Sequence, residues 1–191
     1  MPTYRKTTGT STEPLTYSEV KDWLRLNDDT EQTLVTTLIT VAREIVEGQT
    51  WRPVTEQVYR MYFDKSELDT RVTLINKAPL ISIDSVKYYD VNDVEQTLAA
   101  TEYEYDLYAN PARFRLKSVP SCYDKMNTLY IEFTCGYTTI PEDLKQAFRM
   151  IIGHLYENRQ DVVTGTQVNE IPMASKYILE RYRNNFIFAK N

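Results

Sequence analysis

His154 is the one imidazole in 191 residues, and Cys122 and Cys135 are the only thiols. Acid–base constellations built on paired imidazoles are therefore excluded. A zinc site would have to combine His154, both cysteines and carboxylates, and no C-x-x-C or similar spacing supports it. The two cysteines read as small core residues, not as a disulfide framework. Gly9, Gly48, Gly136, Gly153 and Gly165 are the only glycines, too far apart to cradle a phosphate. The acidic pairs Asp28/Asp29 and Glu142/Asp143 fall at helix starts, where capping and the helix dipole explain them. No serine has a nucleophile-elbow context. The expectation is no catalytic residue, no metal ligand and no cofactor site.

What remains is a set of elements that present surfaces. Residues 140–161 carry Leu144, Ala147, Phe148, Ile151, Ile152 and Leu155 at helical spacing, with Pro141 placed for the first turn. A helix of this length must bury its apolar face. The natural partner is an earlier helix whose stripe is read as Leu34, Leu38, Val41, Ala42 and Ile45, with Gly48 as its stop signal. Leu34, Leu38, Val41, Ile45, Phe148, Ile151 and Leu155 are thus the expected helical core. A shorter helix precedes it, opened by a Thr16/Glu19 capping box and burying Val20, Trp23 and Leu24. A last helix spans residues 172–183, with Met173, Tyr177 and Ile178 on one side.

From Trp51 the period changes from 3.6 to 2. Short alternating runs occupy residues 55–63, 72–75, 80–89, 95–98, 103–107, 112–116 and 129–133, with Asp90-Val91-Asn92-Asp93 as a hairpin turn. This predicts a small antiparallel sandwich or barrel inserted between helices. Its wetter face is rich in tyrosine. That residue serves both sheet packing and contact surfaces, and the sequence leaves the two readings open.

The expected architecture is α+β, a helical bundle with an inserted small antiparallel β domain. A flexible threonine-rich arm (1–14) leads into a helical domain (15–50 and 140–183), which the β domain (51–139) interrupts. A docking tail (184–191) follows. Three large apolar residues, Phe186, Ile187 and Phe188, are costly to leave in water. With Tyr182 and Arg183 they form the expected interface to a neighbouring subunit or another partner.

Hydrophobic content of 42% and charged content of 26% place the chain among ordinary globular proteins. No apolar run is long enough to span a bilayer, and the N-terminal residues lack the apolar stretch of a signal peptide, so synthesis in a cytoplasm is expected. A net charge of -5 argues against a broad basic surface for gripping nucleic-acid phosphates.

Five segments read in order resemble a known family. They are L-T-Y-S-E-V-K-D-W-L-R-L-N-D-D-T-E-Q-T-L at 15–34, A-R-E-I-V-E-G-Q-T-W-R-P at 42–53, A-P-L-I-S-I-D-S-V-K-Y-Y-D at 78–90, C-G-Y-T-T-I-P-E-D-L-K-Q-A at 135–147 and L-Y-E-N-R at 155–159. Over about residues 15–183 the chain is similar to phage head–tail connector or adaptor proteins of the class carrying a β insertion. The resemblance implies a structural virion protein without enzymatic activity. It would sit in the neck as a dodecameric ring, with portal on one side and a tail or stopper protein on the other. Double-stranded DNA would pass through the lumen without sequence-specific binding, and no membrane would be involved. Two other classes stay open: an enzyme, for which no cleft of convergent polar groups is apparent, and a β-domain binding module of a tail or baseplate component. A solution mass separates ring from monomer.

Overall fold

In a computed structural model, residues 3–7, 12–158 and 173–184 are described. They fall into two compact units. One holds residues 3–7 and 56–137; the other holds 12–55, 138–158 and 173–184.

The first unit is built on antiparallel sheet, with two single 3-10 turns at Lys65–Glu67 and Ala100–Glu102. Its strands are β1 (Thr3–Lys6), β2 (Gln57–Phe63), β3 (Thr73–Ile75), β4 (Leu80–Tyr89), β5 (Glu95–Thr97), β6 (Tyr103–Asp106), β7 (Ala112–Leu116) and β8 (Leu129–Cys135). Five pair in the order β1-β2-β8-β4-β5 and three in the order β3-β7-β6. The alternation visible in the sequence is the cause. Met61 and Phe63 of β2, Val86 of β4, Phe114 of β7 and Leu129, Ile131 and Phe133 of β8 all enter one buried cluster. Their neighbours Arg60, Tyr62, Lys87, Tyr130 and Glu132 therefore belong to the opposite face.

The N-terminal arm is corrected by β1. Residues expected to be flexible form a strand whose register runs from Thr3 opposite Tyr62 to Lys6 opposite Tyr59. Tyr4 is what holds it there. Its ring meets Phe133 edge-on at 6.4 Å. Its hydroxyl donates to the Leu74 carbonyl at 3.4 Å and accepts from the Asn76 amide at 3.2 Å. A short polar strand carries little signal of its own; one half-buried aromatic makes it part of the sheet.

The second unit contains α1 (Tyr17–Leu24), α2 (Gln32–Thr50), α3 (Glu142–Glu157) and α4 (Met173–Tyr182). The Thr16/Glu19 capping box is present at the start of α1. Val20 is fully buried, but Trp23 is 44% exposed and Leu24 only half-buried. Two non-glycine residues in the left-handed region end α1 and α2, Arg25 (φ 56) and Trp51 (φ 57). Gly48 lies inside α2, not at its end, and the N-cap of α2 is Glu31, not Asp28 or Asp29.

On α2 the fully buried line is Val35, Ile39, Ala42 and Val46. The expected Leu34, Leu38, Val41 and Ile45 are half-buried. On α3, Leu144, Ala147, Phe148, Ile151 and Ile152 are buried, and Leu155 is half-buried. On α4, Ser175 and Leu179 face inward. Tyr177, read on one side of the helix with Met173 and Ile178, is 71% exposed, and Ile178 is half-buried; the buried pair Ser175 and Leu179 follows the i, i+4 repeat. Met173 lies outside the residues whose side chains are described.

Candidate assembly surfaces

The residues expected to contact a partner separate into two groups. Tyr182 is half-buried in the helical unit, and its hydroxyl donates to Asp143 Oδ1 at 2.5 Å. Arg181 reaches the other oxygen of the same carboxylate at 3.4 Å. Asp143 thus does more than start α3: it ties α4 to the first turn of that helix. Arg183 is exposed. Asn184, expected to open the docking tail, is buried, and its amide donates to the Thr50 carbonyl at 2.9 Å. Phe186, Ile187 and Phe188 lie outside the described residues.

α3 is fixed to the start of α2 by Tyr156, whose hydroxyl donates to Glu31. Near the middle of α2, Arg43 is nearly buried and meets Glu13 at 3.0 Å and Glu47 at 3.2 Å. Glu47 also accepts from the Val54 amide at 3.1 Å. One guanidinium therefore holds both the segment entering α1 and the segment leaving α2. A buried cation needs such partners, and losing one would leave the rest uncompensated.

In the β unit the polar face of the five-stranded sheet carries a recess of about 280 Å³ lined by Arg60, Tyr62, Tyr89, Glu95, Lys125 and Tyr130 among others. Arg60 meets Glu132 at 2.6 Å and lies 4.8 Å from the Tyr130 ring centre. The Glu132 carboxylate holds its pKa further above the ordinary guanidinium value. Burial, then the bond from its own hydroxyl to Glu95, pushes the Tyr130 phenol up to about 12. Lys87 pairs with Glu95 at 3.2 Å, and Lys125 pairs with Asp93 while lying over the Tyr89 ring. Every charge in the recess is already answered. It is a lattice of paired charges and rings.

Arg5, on the same face of the sheet but not among the residues lining the recess, differs. It is exposed, stands directly opposite Arg60 in the β1–β2 register, and its guanidinium makes no hydrogen bond or ion pair among the described residues. Nothing in the sequence marked it, because the strand that carries it was not legible.

Among the described residues there is no cluster of three or more His, Cys, Asp or Glu that could hold a metal. No helix among them is long and apolar enough to cross a membrane. Cys122 and Cys135 are buried free thiols.

Two antiparallel sheets and four helices among the described residues define an α+β protein. Residues 13–185 match the model of the family described as head completion protein, and the chain belongs to that family. No curated protein sequence matches the chain. Among solved structures, it is similar to a chain in the neck of an empty GTA particle computed with C6 symmetry, with a TM-score of 0.75, 20% identity and 95% of each chain covered. A chain from the neck of the native GTA particle computed with C12 symmetry gives 0.71 at 19% identity, again over 95% of both. A chain from the virion of the native gene transfer agent (GTA) particle gives 0.70 at 22% identity over the same shares. At these identities the likeness is one of fold.

Proposed function

We propose that this chain is a structural subunit of the phage neck, assembling with copies of itself into a ring at the junction of head and tail. The observation that carries this is the family match across residues 13–185, joined by a fold shared over nearly the whole chain with components of symmetric necks. A dodecamer agrees with the C12 symmetry of one such neck. Portal lies on one side of the ring and a tail or stopper protein on the other, and the subunit is non-enzymatic. Double-stranded DNA passes through the lumen; a net charge of -5 per subunit leaves the ring too acidic to hold phosphates. Half-buried Leu34, Leu38, Val41 and Ile45 form the rim of the helical core around Phe148 and Ile151. The tail from Asn185 onward, with Phe186, Ile187 and Phe188, anchors the subunit to portal, and exposed Arg183 flanks that contact.

The test is solution mass, alone and with portal, of the full chain and of a chain lacking residues 185–191. A ring of about a dozen 22.4 kDa subunits is expected for the full chain. The truncated chain should fold and lose portal attachment. A monomer under every condition would sink the ring. A folded truncation that attaches with undiminished affinity would end the role of the tail.

A further inference from the structure

The five-stranded sheet is open, and its two edges differ. β1 has β2 on one side and no described strand on the other; β5 has β4 on one side and none on the other. Unprotected edges invite pairing with another chain, and proteins usually blunt them with charge. Here the charges are of opposite sign. β1 carries Arg5 and Lys6; β5 carries Glu95, and the turn before it carries Asp90 and Asp93.

We infer that β5 of one copy adds to the free edge of β1 of the next, so that the sheet runs on from subunit to subunit. This deepens the ring reading above and rests on it. Side-chain rows across the sheet supply the argument. On the polar face, Arg5 stands opposite Arg60, and Arg60 stands opposite Glu132. Arg60 has its anion at 2.6 Å; Arg5, at the end of the row, has none. Two like charges directly opposite on a sheet are unfavourable unless a counter-charge is near. Glu95 is opposite Tyr89, and Thr97 opposite Lys87, so both project to this same face. A neighbour's β5 laid beside β1 brings Glu95 next to Arg5 and completes a row of acid, base, base, acid. The Glu95 carboxylate already meets Lys87 and the Tyr130 hydroxyl, yet its side chain is 40% exposed and has lone pairs to spare.

The same charges forbid the alternatives. Pairing β1 with β1 would bring two basic edges together, and β5 with β5 would join two acidic edges and leave Arg5 unanswered. Only the unlike edges fit. A contact between unlike edges is heterologous, so it propagates in one direction and closes into a ring when the rotation allows.

The experiment pairs cysteines across the expected seam. Arg5→Cys/Glu95→Cys and Arg5→Cys/Thr97→Cys, which cover both registers, are oxidised in the concentrated full-length protein; Cys122 and Cys135 are buried. One double variant should give a ladder of disulfide-linked oligomers. Mixed single variants should stop at dimers. Arg5→Glu and Thr97→Pro should fold with unchanged circular dichroism and shift the mass from ring to monomer. Proline at a solvent-facing edge position leaves the β4–β5 hairpin intact and blocks strand addition. Wild-type rings with no ladder from either double variant, or rings from Arg5→Glu at wild-type yield, overturn the edge pairing and leave the ring reading standing. A wild-type chain that is monomeric throughout, without cross-links, overturns both.

Discussion

The Tyr182 hydroxyl and the Asp143 carboxylate, 2.5 Å apart and separated by 39 positions in sequence, join the last turn of α4 to the first turn of α3. This bond makes Tyr182 part of the subunit's own frame. Tyr182→Phe removes one charge-assisted hydrogen bond at a half-buried site, so it should cost about 1 kcal/mol after allowing for solvent. Amide exchange in α4 should quicken while exchange in α2 is unchanged. An unaltered α4 would show that the bond contributes nothing.

The displaced stripe on α2 is checked by neighbouring substitutions. Ile39 is 2% exposed, so Ile39→Ala should cost about 2–5 kcal/mol as a cavity mutation. Leu38→Ala, at a half-buried position, should cost less. Phe148→Ala, at a fully buried site, should cost about 3–5 kcal/mol. Urea unfolding midpoints decide the order; Leu38 above Ile39 would return the core to the other line.

The alkaline limb of stability reports on the sheet. Tyr130 ionises near 10 when unfolded and at about 12 when folded. The folded state holds its proton more tightly, so the contribution is complete below pH 10 and is lost as pH rises towards about 12. Tyr4, raised chiefly by burial, acts in the same direction. Tyr130→Phe should flatten this limb. Tyrosinate absorbance and unfolding between pH 9 and 12 measure it, at roughly the window set by those values. A wild-type curve already falling below pH 9 would contradict it.

On the acid side, the Asp90 carboxyl is held below its ordinary range, first by the Asn92 amide, then by the Gln96 side chain and the Val94 amide. Its folded pKa is depressed, so its contribution is present above the ordinary aspartate range and lost as pH falls through the folded value. Asp90→Ala should loosen the β4–β5 hairpin at neutral pH. Exchange of the Val94 amide, which donates to Asp90 at 3.2 Å, is the readout; no change there would remove the turn's dependence on this carboxylate.

Duplex DNA should bind weakly and with little dependence on salt, because a chain of net charge -5 cannot displace many counterions. A titration at two salt concentrations tests this. A steep fall in affinity with salt would reveal a basic surface.

Local pattern alone determined most of the elements. The alternation of residues 80–89 places β4 at Leu80–Tyr89, and the Thr16/Glu19 box opens α1, because both signals are satisfied within a few residues of chain. Where two local solutions were equally apolar, only tertiary structure chose. Residues 34, 35, 38, 39, 41, 42, 45 and 46 are all apolar, so helical periodicity defines a broad face but not its centre, and packing put Val35, Ile39, Ala42 and Val46 innermost. β1 is the stronger case. Thr3–Lys6 has no apolar alternation to announce a strand; it becomes one because β2 offers an edge and because Tyr4 finds Phe133, Leu74 and Asn76 from 70 to 129 positions away. The unanswered charge on Arg5 follows from that placement, since a residue's opposite number in a sheet exists only after distant strands have come together.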